Sequence, residues 1–554
     1  MAIQKIKITN FKRFKESFEI SFHKGLNILV ARNEGGKSTI LEAINLALTG
    51  YHYGRSVRNG EISQYLFNKE AVDEYLQNVK VNPLLLPPSI EIEVYYSDSN
   101  FQPEFVGSGN SDELTRTGGF VFSIELADRY KEAYRTYVRS HHGNINSIPL
   151  EYYEAKWVSF AGEYTLPREI KLNCSFIDAT RNTYQTSSDI YVSRILKNNI
   201  TEDERIAVSQ AYRGFTSAYS ENDGIKKVND KLTHVDDVQG KSITLGIDLG
   251  SKLSWKQTLI ALADGIPFNH AGQGMQCVLK TELALTDKKS ECSNLILIEE
   301  PESHLSHHLL QKLVSHISQK ENNKQIIIST HSSFVANKLN LRNIILLGKT
   351  PTRLDALNED TARFFEKLSG FDTLRFALSK KAILVEGSSD DLVIQKAYYD
   401  LHNKLPSDDG IDIIAVGTSF LRFLELAELM DVSTIVVTDN DGKVDSLKRK
   451  YSRYIGELKK ENIDICYEAT PYTEGSLKNR DGSKFNYNTL EPCMYRANNL
   501  NVLNKVFDTS YETEDEILFF MQSNKTECAY AIFSSDIRLK YPSYIQDVMK
   551  AIDK

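Results

Sequence analysis

Residues 29–39 read LVARNEGGKST. Gly36, Lys37 and Ser38 fit the second half of a phosphate-binding loop, G-x-x-x-x-G-K-[ST], while Ala31 stands where that pattern opens on glycine. Upstream, GLNILVA is a short apolar run of the buried-strand type. Downstream, STILEAINLALTG has a helical period and closes on Gly50. Strand, glycine-bearing loop and helix in this order let backbone N–H groups and a helix start cradle phosphate. The expected cofactor-binding set is Asn33, Glu34, Gly35, Gly36, Lys37, Ser38 and Thr39. Lys37 would neutralise β/γ charge and the Ser38 hydroxyl would hold Mg²⁺. Ala31 adds only a methyl, which a negative φ accommodates.

Further along, LILIEEPES (295–303) is an apolar run ending in Glu299 and Glu300. The first acid can help hold a hydrated Mg²⁺; the second can polarise an attacking water. STHSSF (329–334) follows another such run and puts His331 where a γ-phosphate sensor would sit. AGQGMQ (271–276) is a short glycine-bearing turn before a helix, suited to touch a phosphate. His304, His307 and His308 have helix spacing but no further ligand, and read as a solvated helix face.

With 554 residues, 41% hydrophobic and 25% charged, the chain is long enough for two or more ordinary globular domains. A net charge of -8 argues against non-specific coating of nucleic acid, though not against a local basic groove. Cys174, Cys277, Cys292, Cys466, Cys493 and Cys528 form no C-x-x-C pair, the usage of a reducing compartment. The N-terminal residues alternate like a strand, and no 18-residue apolar run appears. A cytoplasmic protein with no membrane contact is expected.

The texture changes along the chain. Strand-like alternation runs to FIDATR (176–181); from 187 the period turns helical; apolar, β-branched runs return at SITLGI, NLILIEEPE, QIIIST and NIILL. Continuous runs separated by helices predict a mostly parallel, buried sheet. A second α/β unit opens at KKAILVEG. There, AILVEGSSDD places Glu386 at a strand end, and STIVVTDNDG places Asp439 and Asp441 at another, two residues apart. Such acids gather at the carboxyl edge of a parallel sheet. Two carboxylates about 4 Å apart repel by about 4 kcal/mol at an effective dielectric of 20, so the cluster calls for a cation or a shared proton.

The first set of motifs resembles the ABC-type ATPases of the SMC and RecF kind across residues 1–350. That resemblance makes Glu299 and Glu300 the paired acids, Ser303 to Leu305 a D-loop, His331 a switch histidine and AGQGMQ a degenerate signature. It also implies ATP sandwiched between two heads, hence a homodimer or higher oligomer. The second set resembles a Toprim domain. ATPase followed by Toprim is the order of the OLD (overcoming lysogenization defect) family of nucleases, which includes the Gabija nuclease subunit and effectors attached to some retrons. The fold class implied is α/β: an ABC-type ATPase head with a helical insertion, then a Rossmann-like Toprim domain. The expected boundaries are 1–186 and 237–350 for the head, 187–236 for a dimerisation insert, 351–379 for a linker and 380–554 for Toprim.

Carried over residue by residue, Arg181 in FIDATR matches the segment before the insertion. Glu491 in NTLEP and Lys525 in NKTECAYAI match the late acid and lysine of the Toprim site, and Asp390 stands where many members have glutamate. Glu386, Asp390, Asp439, Asp441 and Glu491 are then metal ligands for Mg²⁺ or Mn²⁺, and Lys525 a catalytic cation. The expected activity is ATP-regulated, metal-dependent cleavage of double-stranded DNA in phage defence. A Gabija-like setting implies a helicase partner; a retron implies a reverse transcriptase with its DNA–RNA hybrid. SLKRKYSRY (446–454) suits a DNA backbone or a solvated helix face. The competing expectations are a RecF- or SMC-like repair ATPase whose Toprim part only binds DNA, and a topoisomerase or primase using the same carboxylates.

Overall fold

The computed structural model describes residues 2–31, 35–96, 102–112, 116–141, 145–178, 201–232, 262–263, 265–286, 294–320, 324–339, 341–348, 350–353, 357–367, 371–472, 475, 477–479 and 482–553. Asn33, Glu34 and Arg181, and the ends of the expected insert, lie outside the described residues. The chain forms two compact units: Met1–Val30 with Gly36–Leu339, and Asn340–Lys554 with Ala31–Gly35.

The first unit holds two sheets. One is antiparallel, with strands in the order Phe18–Ser21, Ile3–Thr9, Ile90–Tyr96, Thr117–Leu126, and Tyr153–Ser159 added beside the last. Alternating residues set the register: Ile6 faces Val94, Ile92 faces Phe122, and Phe122 faces Trp157. All of these are buried. The other contributes four parallel strands to this unit, in the order Cys174–Asp178, Leu295–Glu299, Gln325–Ser329, Leu26–Val30. Its β-branched runs are buried on both faces, as a covered parallel sheet requires. The helix Lys37–Thr49 packs between the two sheets, and the Trp157 indole N–H donates to the Ala47 carbonyl at 2.7 Å.

Residues 202–232 form two helices, Glu202–Glu221 and Asp223–Leu232, the first opened by a Thr201/Glu204 capping box. Phe215 and Tyr219 are exposed on the longer one.

In the second unit, four parallel strands run in the order Ile411–Ala415, Lys381–Val385, Ser433–Val437, Ile463–Cys466. Ser388–His402 and Ser543–Ile552 share one core with this sheet, built on Ile383, Val385, Val437, Cys466, Met494 and Val548. The stretch expected as a linker is tied into the same unit. Arg375 Nε and Ser379 Oγ both donate to Asp412, at 3.1 and 2.8 Å, and Thr361 Oγ1 donates to Glu425 at 2.6 Å. Among the described residues no helix is long and apolar enough to cross a membrane.

Candidate functional site

In the first unit the chemistry gathers at the carboxyl ends of the parallel strands. Asp178, Glu299 and Ser329 are in register there. The helix carrying Lys37, Ser38 and Thr39 starts beside them, from Gly36 at φ +90°. A Cβ on Gly36 would meet the Phe14 ring at 2.8 Å, so both backbone and space require glycine. Positive φ at described non-glycine residues falls on Glu300, His304 and seven others, and Ala31 is not among them. The methyl at the loop's first position is therefore accommodated without strain.

Lys37 is 5% exposed, and its Nζ lies 2.8 Å from His331 Nε2. His331 Nε2 is also 3.3 Å from Glu300 Oε1. Burial lowers the Lys37 pKa, with Glu300, Glu302 and Glu299 opposing. Burial, then the neighbouring lysine, lowers that of His331. Burial disfavours the charged form of both groups, and the lysine beside the ring adds to the preference for a neutral imidazole. Glu299 is buried, and Glu300 holds a left-handed φ of 42° that turns the chain away from the strand.

Sequence reasoning passed over Glu302. Its Oε1 accepts from Thr330 Oγ1, the His331 N–H and the Ser332 N–H at 2.7, 2.8 and 3.1 Å, fixing the backbone that carries His331. The only signal in the sequence was an acid near a run of unpaired donors. The AGQGMQ turn lies close by. A Cβ on Gly274 would come within 2.4 Å of the His304 carbonyl, so this glycine allows helix start and loop to touch. His304, His307 and His308 are exposed.

The second cluster sits at the carboxyl edge of the four-stranded sheet. Glu386 follows the Lys381–Val385 strand and accepts from Thr438 Oγ1 at 2.9 Å. Asp390 lies in the first turn of Ser388–His402, where its Oδ2 accepts from the Gly387 N–H at 3.1 Å. Asp439 follows Ser433–Val437. Glu491 is buried at the start of Leu490–Ala497, accepting from Thr489 Oγ1 at 2.9 Å and lying 3.3 Å from Lys525 Nζ. Burial pushes the Asp390 carboxyl up to about 7, with Glu386 and Glu491 adding to the rise and the Gly387 N–H opposing it. Burial first, then Asp390, Glu386, Glu491 and Asp441, raises Asp439 well above its ordinary range. These mutual effects bring Glu386, Asp390, Asp439 and Glu491 together in one field.

Asp441 stands differently. The strand ends at Val437, so alternation does not carry two residues past Asp439. Asp441 has a left-handed φ of 49°, is exposed, and accepts from Asn486 Nδ2 at 2.8 Å. Among the described residues no group of three or more His, Cys, Asp or Glu side chains is closed around a point that could hold an ion. The donors match a hard divalent cation in kind, being all carboxylate, and the raised proton affinities of Asp390 and Asp439 express the same unmet demand for positive charge.

That demand has a pH signature. Asp390 has a folded-state pKa above its unfolded value, so its contribution to stability is present below about pH 4 and lost as pH rises through about 7. Melting in EDTA should fall over that window, and Asp390→Asn should flatten the slope. Equal slopes in wild type and variant would remove Asp390 as the titrating group.

A family model described as "AAA ATPase domain" matches residues 1–336, and one described as "Overcoming lysogenization defect protein-like, TOPRIM domain" matches residues 378–441. Endonuclease GajA of Bacillus cereus is 22% identical over 502 residues, covering 84% of this chain and 80% of that protein. The DNA double-strand break repair Rad50 ATPase of Methanopyrus kandleri is 47% identical over 62 residues, 11% of this chain. That match spans only 7% of the relative's length. Among solved structures, an Smc head bound to the C-winged helix domain of ScpA aligns over 62% of this chain and 94% of its own, at 13% identity and a TM-score of 0.31.

Proposed function

This chain belongs to the AAA ATPase domain family and carries an OLD-like Toprim domain, the pairing of an OLD-family nuclease, and from that premise we propose that it is an ATP-regulated, divalent-metal-dependent DNA endonuclease of anti-phage defence. The observation that carries this reading is that Glu386 and Asp439 follow the ends of adjacent parallel strands, with Asp390 and Glu491 on helix starts and Lys525 3.3 Å from Glu491. A module that only held DNA would gain nothing from four acids facing a polyanion. The likeness to Endonuclease GajA over most of the chain supports the same reading.

Glu386, Asp390, Asp439 and Glu491 would hold Mg²⁺ or Mn²⁺, with Asp441 at the rim. A divalent pair there supplies activation of water and stabilisation of the leaving oxygen. The chain's own residues do the rest. Thr438 and Thr489 orient Glu386 and Glu491. Lys525 offers a cation to the phosphate as negative charge builds on it. Lys448, Arg449 and Lys450 are exposed on the helix that follows Asp441, and can track a DNA backbone toward the acids.

Asn33 to Thr39 would cradle ATP. Ser38 and Glu299 would serve its Mg²⁺, Glu300 the attacking water and His331 the γ-phosphate. Exposed Phe215 and Tyr219 on the Glu202–Glu221 helix suit a homodimer contact. A helicase, or a reverse transcriptase with its DNA–RNA hybrid, is the corresponding partner proposal, and the cytoplasm the corresponding compartment.

Supercoiled plasmid tests the core of this reading. Nicked or linear product is expected with Mg²⁺ or Mn²⁺ and none in EDTA. Product in EDTA would rule out metal dependence. DNA binding without cleavage under every divalent cation would favour the repair-ATPase alternative.

A further inference from the structure

The helix Ser543–Ile552 closes the second unit beneath its acidic edge. It packs on the Ser433–Val437 and Ile463–Cys466 strands and on Ser388–His402, the elements that carry or flank Asp439 and Asp390. Its start is tied to the same loop. Ser543 Oγ donates to Glu468 Oε2 at 2.7 Å, and the Glu468 carbonyl accepts from Asn440 Nδ2 at 2.8 Å, one residue past Asp439.

Tyr544, next on this helix, is 2% exposed, and its hydroxyl has no hydrogen-bond partner among the described residues. An unsatisfied buried hydroxyl is destabilising, so its place in a packed core calls for an explanation. The ring itself packs in the apolar core with Val437, Cys466, Cys493 and Met494. A phenylalanine would fill that space equally well. What the tyrosine adds is one O–H, on a helix packed against the strand that leads to Asp439 and against the helix that carries Asp390.

We propose that Tyr544 is a positioning residue of the strand-end carboxylate cluster, its buried hydroxyl held ready to donate a hydrogen bond to Asp439 when that carboxylate turns to hold a divalent cation. The inference rests on the metal reading of the site given above. Its physical content is reciprocal. The four acids do not close around an ion as they stand, and closing them requires a donor for a carboxylate oxygen that faces away from the metal. Tyr544 is a dry, rigid donor on the side of the core, where water cannot substitute.

The test uses the full-length, nucleotide-free chain and Mn²⁺, with free Mn²⁺ followed by electron paramagnetic resonance. Sites lost in the double change Glu386→Ala, Asp439→Ala define the binding that counts. Tyr544→Phe should raise the Mn²⁺ midpoint about tenfold or more, the usual effect of losing a group that orients a ligand. Its melting temperature in EDTA should not fall, because the hydroxyl removed had no partner. Tyr134→Phe is the control: Tyr134 is an equally buried, unpartnered tyrosine in the first unit, and its loss should leave the midpoint alone. A wild-type midpoint in Tyr544→Phe overturns the proposal, as does a lowered melting temperature in EDTA with the midpoint unchanged. Wild-type chain that binds Mn²⁺ but never cuts DNA sinks the nuclease reading and leaves this one to be decided by the midpoints. Wild-type chain that binds no Mn²⁺ at this site overturns both.

Discussion

Lys37→Ala should weaken ATP binding about a thousandfold while the chain stays folded. The lysine is 5% exposed at the start of its helix, where solvent cannot replace its charge. Burial already lowers its pKa, even with Glu300, Glu302 and Glu299 nearby to raise it. A triphosphate arriving there brings more negative charge, at closer range, than these acids supply. Breaking a buried charge pair by removing one partner costs about 3–5 kcal/mol, and each 1.4 kcal/mol is about tenfold in affinity. In the nucleotide-free chain the Lys37 Nζ lies 2.8 Å from His331 Nε2, and its removal there is expected to leave the fold intact. Glu300→Gln should do the opposite: ATP binds, and hydrolysis slows, because the acid beside His331 is gone and the phosphate cradle is not. Isothermal titration separates the two. Normal affinity in Lys37→Ala would end the assignment of residues 29–39 as a nucleotide loop.

The parallel strands of both units were legible because a strand covered on two faces must be a continuous apolar run, and ILVA, LILIE, QIIIS and ILV have no other simple reading. The acids at their ends were legible for the same reason: a run that stops at a carboxylate stops at the sheet edge. Past that edge, periodicity lost its hold. Asp441 was expected beside Asp439 by alternation, but the chain leaves extended geometry at Thr438, and a left-handed turn carries Asp441 out to Asn486. Asp390 and Glu491 sit on helix starts, where local sequence marks only a cap; the family resemblance singled them out, not their spacing. Glu302 and Tyr544 were missed because each acts through tertiary contact. The loop that Glu302 holds follows a different strand, and Tyr544 comes to lie beside the strand that leads to Asp439 only because the last helix packs on that sheet. No window short enough to show a period contains both partners.

The largest effect expected in the second unit is that Glu386→Ala with Asp439→Ala abolishes DNA cleavage with ATP affinity unchanged. Lys525→Ala then divides ion holding from chemistry. Asp439→Ala alone removes one donor of a set whose other acids remain, so excess Mn²⁺ should restore part of the activity. Lys525 holds no ion. Its side chain is 49% exposed, and its Nζ lies 3.3 Å from Glu491 Oε1, an ion pair in partial contact with water that contributes little to stability. The folded chain and its DNA affinity should therefore survive Lys525→Ala. What goes is a cation that matters most when charge develops on the scissile phosphate, and losing one such stabilising group typically lowers the rate about a hundred- to a thousandfold. Added Mn²⁺ cannot restore it, because the deficit lies at the phosphate and not in the ion's occupancy. Single-turnover cleavage across a Mn²⁺ titration reads both variants at once: the Asp439→Ala curve should climb toward wild type, and the Lys525→Ala curve should saturate early at a low plateau. A Lys525→Ala plateau equal to wild type would remove that lysine from the reaction. Cleavage persisting in the double carboxylate variant would remove the site itself.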